Sequence, residues 1–280
     1  MIDILLEPLS YDFMVRALLV AVVASVVCAL LSCWLVLIGW SLMGDAVSHS
    51  VLPGVVLAAI VGAPFALGAV VFGLGSVALI GAVRGSGKVK EDAAIGIVFT
   101  TLFALGLVLV SVTPSRTDLN HIVFGNLLGV STADLWQIVV LGVLVAAALL
   151  LKRRDFTLYA FDPTHAHAIG LRPKVLSAAL LGLLAVTAVV ALQAVGVVLV
   201  VAMLIIPGAT ARLLTDRFST MLWVAPVSAV VCSVVGIWIS YWVDTATGPM
   251  IVLTQGVWFT LVFVLQLAVR TRRQAAAKGR

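Results

Sequence analysis

The chain has 280 residues, 63% of them hydrophobic and 10% charged, with a formal net charge of +5 and a mean hydropathy of +1.24. A water-soluble domain carries about a quarter charged residues, so this composition excludes a soluble globule and describes an integral membrane protein. The positive balance does not indicate nucleic-acid binding, because Lys and Arg sit in short connections between apolar runs, as membrane topology requires.

The first dozen residues lack the basic stretch of a cleavable signal, so the N-terminus is expected to be retained. A helix needs about 20 apolar residues to cross a bilayer. Such runs lie at 14–38, 42–62, 63–83, 92–112, 134–151, 176–193, 195–213, 219–242 and 248–269. The expected fold is an all-α integral membrane protein, a bundle of about eight or nine transmembrane helices, with eight if 42–62 or 195–213 is re-entrant. One transmembrane domain covers 1–270, and a basic tail follows at 271–280. Cys28, Cys33 and Cys232 form no CxxC and read as small buried hydrophobes.

The second run opens with Gly44-Asp45-Ala46-Val47-Ser48-His49-Ser50-Val51-Leu52-Pro53-Gly54. An acid and an imidazole inside so apolar a stretch are costly, and such residues mark a pathway or a ligand site by default. On a helix, Asp45 and His49 stand at i and i+4 and share a face with Ser48 beside them. Pro53 has no N–H to offer the His49 carbonyl, which is expected to stand free nearby.

After the third run, Gly85-Ser86-Gly87-Lys88 looks like a phosphate loop but fails the pattern, with Ala82 and Val89 where Gly and Ser or Thr are needed. It reads as a basic loop, with Glu91 and Asp92 favouring the start of the next helix. Between the fourth and fifth runs lie Arg116, Asp118 and His121, the last read as a solvated or capping loop histidine.

The connection Lys152–Lys174 is too long and too patterned for a tight turn. Asp162 caps a short helix with Pro163 at its first position, and Gly170 followed by Pro173 ends it. Ala166, Ala168 and Gly170 would let another backbone come close, which suits either a docking knob for a soluble partner or a plain loop helix. His165 and His167 are spaced two apart, which does not suit one helical face, so no metal role is assigned to them.

In the last third, Gln193-Ala194-Val195-Gly196 separates two apolar runs, and Pro207 interrupts a span in which Thr210 can compensate in part. Trp223 and Trp242 lie near span ends, where amphipathic rings suit the interface. With alternating spans, 15 of the 17 Lys and Arg fall on one side, leaving Arg16 and Arg116 on the other. This orientation puts the C-terminus in the cytoplasm and the N-terminus outside.

Three roles compete for Asp45 and His49: a structural cap and hydrogen bond, a proton relay, and transient metal coordination. For the third, carboxylate, carbonyl and imidazole together favour manganese, iron or zinc, and the absence of a nearby thiolate disfavours copper(I). Two ligands are too few to hold an ion tightly. A two-fold dimer would bring two such pairs to one axis, as suits a carrier that must also release its cargo.

Four stretches resemble the permease subunits of the metal-ion ABC importers, which carry manganese, iron or zinc. They are Leu42–Gly54, Lys90-Glu91-Asp92-Ala93-Ala94-Ile95-Gly96-Ile97, His121-Ile122-Val123-Phe124-Gly125-Asn126-Leu127-Leu128-Gly129-Val130-Ser131, and Gln193–Gly196 through Pro207–Thr210. The last two look more like the manganese/iron branch than the zinc branch. Gly39-Trp40 departs from the basic residues that relatives often carry there. The resemblance implies a pore of two permease subunits, identical or paralogous, with two copies of a separate cytoplasmic ATPase and an external metal-binding protein. By that resemblance this chain is not an enzyme and holds no permanent cofactor, its metal being cargo. Asp45 and His49 match the family's metal-coordinating positions, and Phe161, Asp162, Pro163, Ala166, Ala168, Gly170 and Leu171 fall in the coupling element that enters the ATPase cleft. The implied location is the bacterial cytoplasmic (inner) membrane.

Overall fold

The computed structural model describes residues 7–63, 65–85, 87–112 and 129–278. Arg116, Asp118, His121 and most of the stretch around His121 lie outside the described residues.

A 3-10 turn, Glu7–Ser10, precedes α1, Asp12–Ile38, and then α2, Ser41–Ser50, and α3, Leu52–Val61. Next come α4, Phe65–Gly85, α5, Glu91–Val112, α6, Thr132–Leu151, α7, Arg153–Phe161, and α8, Pro163–Ala168. The last four are α9, Pro173–Val195, α10, Val197–Leu214, α11, Phe218–Val243, and α12, Thr247–Lys278. Among the described residues, seven helical spans are long and apolar enough to cross a membrane, α2 and α3 counting together as one, and two shorter apolar helices lie at Pro173–Val189 and Val198–Leu214. The all-α membrane bundle expected from the apolar runs is what the chain forms.

The bundle is built around α1. Its most apolar stretch is 67% buried, against 17% for α12. The reason is side-chain size: Ala17, Ala21, Ala24, Ser25, Ala29 and Ser32 are all buried and let neighbouring backbones approach closely. The α1 helix packs on α10, α11 and α6. Two polar ties reinforce these contacts where lipid offers no competing water. The Ser25 hydroxyl meets that of Ser233 on α11 at 2.7 Å. Ser32 Oγ accepts the Gly208 N–H at 3.0 Å and donates to the Ile205 carbonyl at 3.3 Å, on either side of Pro207 in α10. Thr210 donates to the Ile206 carbonyl at 2.8 Å, the local compensation expected beside a helical proline. Gly39, at φ +89°, ends α1 in the left-handed region with its N–H on the Leu35 carbonyl.

The structure differs from the sequence reading in two places. The run 42–62 is not one helix: it breaks at Val51, and Pro53 sits in the first turn of α3, where an N–H would lack an intrahelical partner anyway. The connection 152–174 holds two helices instead of one. The additional helix, α7, lays Phe156 and Tyr159 on the bundle. Fully buried Trp34 donates its indole N–H to Thr157 Oγ1 at 3.3 Å and meets Phe156 and Phe218 edge-on, at 6.3 and 5.3 Å between ring centroids. All three cysteines are buried and free.

Candidate functional site

Asp45 and His49 occupy successive turns of α2, a short helix packed against α5, α9, α10 and α4. It fits there because Gly44 lies directly on α10: a Cβ at that position would stand 3.1 Å from Leu204 Cδ1. Ser48 and Ser50 are buried and return their hydroxyl protons to the carbonyls of Gly44 and Ala46, at 2.8 and 2.6 Å. The polar face is therefore internally satisfied, except for the acid and the imidazole.

Those two meet. His49 Nδ1 is 3.4 Å from Asp45 Oδ1 and 3.2 Å from the Asp45 backbone carbonyl. Their side chains are half-buried, 36% exposed for Asp45 and 26% for His49. The covered side of the imidazole is aromatic. Phe99 and Phe103, one turn apart on α5, present themselves at 5.4 and 5.2 Å between ring centroids, with interplanar angles of 88° and 62°. Sequence reasoning missed both phenylalanines; their one signal is a shared i, i+4 spacing on an otherwise apolar helix.

Pro53 has no N–H to offer the His49 carbonyl, and the helix break at Val51 falls beside it. The Val51 N–H lies near that oxygen, but only two residues on, at an angle too bent to pair with it well. Among the described residues no group of three or more His, Cys, Asp or Glu converges as a metal site. Among the described residues the acid–imidazole pair stands half-exposed with no third ligand of those types beside it.

The residues Phe161–Leu171 form a separate cluster. Asp162 caps α8 by accepting the His165 N–H at 2.9 Å, with Pro163 at the first helical position. Gly170, at φ +90°, closes the turn while its N–H bonds the His167 carbonyl, and the Leu171 N–H reaches the Ala166 carbonyl. Phe161 is 62% exposed and Ile169 57% exposed, and Ala168 and Gly170 are exposed as well. Ala166 is fully buried, so its small size serves the packing of the knob itself.

Comparison with known proteins agrees with this architecture. The ABC 3 transport family matches residues 10–269. The manganese transport system membrane protein MntB of Synechocystis sp. is 51% identical over 94% of this chain and 85% of its own length. A probable iron transport system membrane protein of Haemophilus influenzae is 50% identical over 93% of this chain and 96% of its own. The solved structure of PsaBC from Streptococcus pneumoniae in complex with Fab superimposes with a TM-score of 0.85 at 37% identity, covering 94% of this chain and 95% of that one. With the family matching from the start of α1 into α12, the chain belongs to the ABC 3 transport family.

Proposed function

We propose that the chain is the membrane permease subunit of an ATP-driven importer that moves a divalent transition metal, manganese or iron, into the cytoplasm. The observation that carries this reading is the Asp45–His49 pair on one face of a buried, broken membrane helix, in a chain half identical to proteins named for manganese and iron transport. A mixed carboxylate–imidazole donor set suits the borderline first-row ions, zinc included, and disfavours calcium and magnesium, which take oxygen ligands. Each chain supplies half a site, and a second permease subunit, identical or paralogous, completes it across a two-fold axis. Two donors per chain bind weakly enough for release, which conduction requires.

The knob from Phe161 to Leu171 is the handle for a separate cytoplasmic ATPase, one copy per permease, and an external metal-binding protein delivers the cargo. The exposed apolar side chains of Phe161 and Ile169 support that role. With the knob inside, the basic C-terminal end of α12 is cytoplasmic and the N-terminus is outside, in the bacterial cytoplasmic membrane.

The test is uptake of radiolabelled Mn2+ by cells carrying the complete transporter. Asp45→Asn keeps shape and removes charge, so uptake falls at least about tenfold at unchanged membrane abundance. Wild-type uptake by that variant removes the carboxylate from the mechanism. Uptake that survives deletion of every partner ATPase would instead favour a stand-alone proton-coupled transporter, with Asp45 as the proton carrier.

A further inference from the structure

The imidazole of His49 is held from two sides, and the two constraints together select one nitrogen. On one side Nδ1 faces two oxygens of Asp45, the backbone carbonyl at 3.2 Å and Oδ1 at 3.4 Å. Both are acceptors, so the proton between them sits on Nδ1, which leaves Nε2 as the nitrogen available to a metal. From α5 the rings of Phe99 and Phe103 meet the imidazole at steep interplanar angles, 88° and 62°. Both rings are half-buried, and Phe99 and Phe103 stack on each other at 6.3 Å with planes 27° apart, so each limits the other's movement. One turn further along α5, Gly106 lies against Leu52. A Cβ there would stand 2.8 Å from Leu52 Cγ, so the bare backbone at Gly106 is what lets α5 approach the α2–α3 break closely enough for the clamp.

We propose that Phe99 and Phe103 are positioning residues that hold His49 in a single orientation with Nε2 as its donor, making the imidazole an obligatory ligand of the transported ion. This rests on the reading of Asp45 and His49 as the transport site. The consequence is selectivity. A swinging imidazole would leave a carboxylate site that calcium and magnesium accept, whereas a fixed nitrogen donor penalises ions that demand oxygen. Partners that orient a metal-ligating histidine are worth about 10–100-fold in metal affinity. The clamp does this with two steeply inclined rings and a hydrogen bond.

The experiment measures Mn2+ uptake, and its inhibition by Ca2+, in cells carrying the full transporter with Phe99→Leu, Phe103→Leu, the double Leu variant or Phe103→Tyr. Leu preserves most of the apolar volume while removing the flat ring; Tyr preserves the ring. In the double Leu variant the half-saturating Mn2+ concentration rises about tenfold, and Ca2+ becomes an effective competitor. Phe103→Tyr stays close to wild type in both respects. A merely structural role for the rings would lower the membrane abundance and maximal rate of the Leu variants without moving the Ca2+ to Mn2+ ratio, and that result overturns the proposal. His49→Ala run in parallel separates the two readings. If it leaves Mn2+ uptake intact, the site itself is wrong. If it abolishes uptake while the double Leu variant keeps wild-type selectivity, the clamp alone is wrong.

Discussion

Ala166 and Ala168 allow folding and coupling to be separated, because two alanines of one short helix sit in opposite surroundings. Ala166 is fully buried beneath the knob, and Ala168 is exposed on it. Ala166→Leu forces an isopropyl group into occupied space, and overpacking of this kind costs about 1–3 kcal/mol. For a chain of this size that lowers the melting temperature by roughly 2–10 °C. Ala168→Leu meets solvent and changes stability by no more than about 0.5 kcal/mol. Enlarging the exposed position to Ala168→Trp leaves the fold intact but obstructs a partner seated on the knob. Uptake of Mn2+ is then expected to fall at least about tenfold while abundance and melting stay at wild-type values. The assay pairs radiolabelled uptake in cells with thermal unfolding of the detergent-purified chain. Wild-type uptake by Ala168→Trp would refute the docking role, and unchanged melting of Ala166→Leu would refute the packing argument.

Two other positions test the packing directly. Gly54 on α3 and Gly68 on α4 cross with their backbones in contact, so a Cβ on either runs into the other's carbonyl; Gly54→Ala or Gly68→Ala should destabilise by about 2–3 kcal/mol. Gly75, in the middle of α4 with nothing within 4 Å of an added Cβ, is the control, and Gly75→Ala should be neutral or stabilising by up to about 1 kcal/mol in the same melting assay. Gln255 on α12 is 2% exposed, and neither atom of its amide has a hydrogen-bond partner among the described residues. Burying an unpaired amide costs about 1–3 kcal/mol, so Gln255→Met should melt higher with uptake unchanged. A fall in uptake would show that the amide serves transport.

The membrane helices are legible because lipid makes hydropathy a nearly sufficient rule: a spanning segment must satisfy its backbone internally and present apolar side chains. The helix missed in sequence, α7, obeys a different rule. It is short and polar, and its one cue was Phe156 and Tyr159 three residues apart, on one face. That face becomes meaningful only once Trp34 and Trp40 are placed beneath it. The break at Val51 was hidden for a related reason. Pro53 suggests a gap in a continuous helix, whereas Pro is favoured in the first turn of a new one, where its missing N–H is one of those a helix start leaves unpaired.

The candidate site was legible only as far as its chemistry is local. Asp45 and His49 lie four residues apart, so helical geometry alone pairs them. Phe99 and Phe103 lie about fifty residues further on, in a helix where most apolar residues face outward, and composition alone does not single them out. What decides that these rings turn inward is the space left by side chains that are absent, at Gly44 against Leu204 and at Gly106 against Leu52. A sequence advertises a ligand by its cost in an apolar run. It advertises the approach of the helices around that ligand only by glycines, which serve many other purposes in a membrane bundle. The acid and imidazole were therefore readable as an anomaly, and the wall that orients them was readable only from the fold.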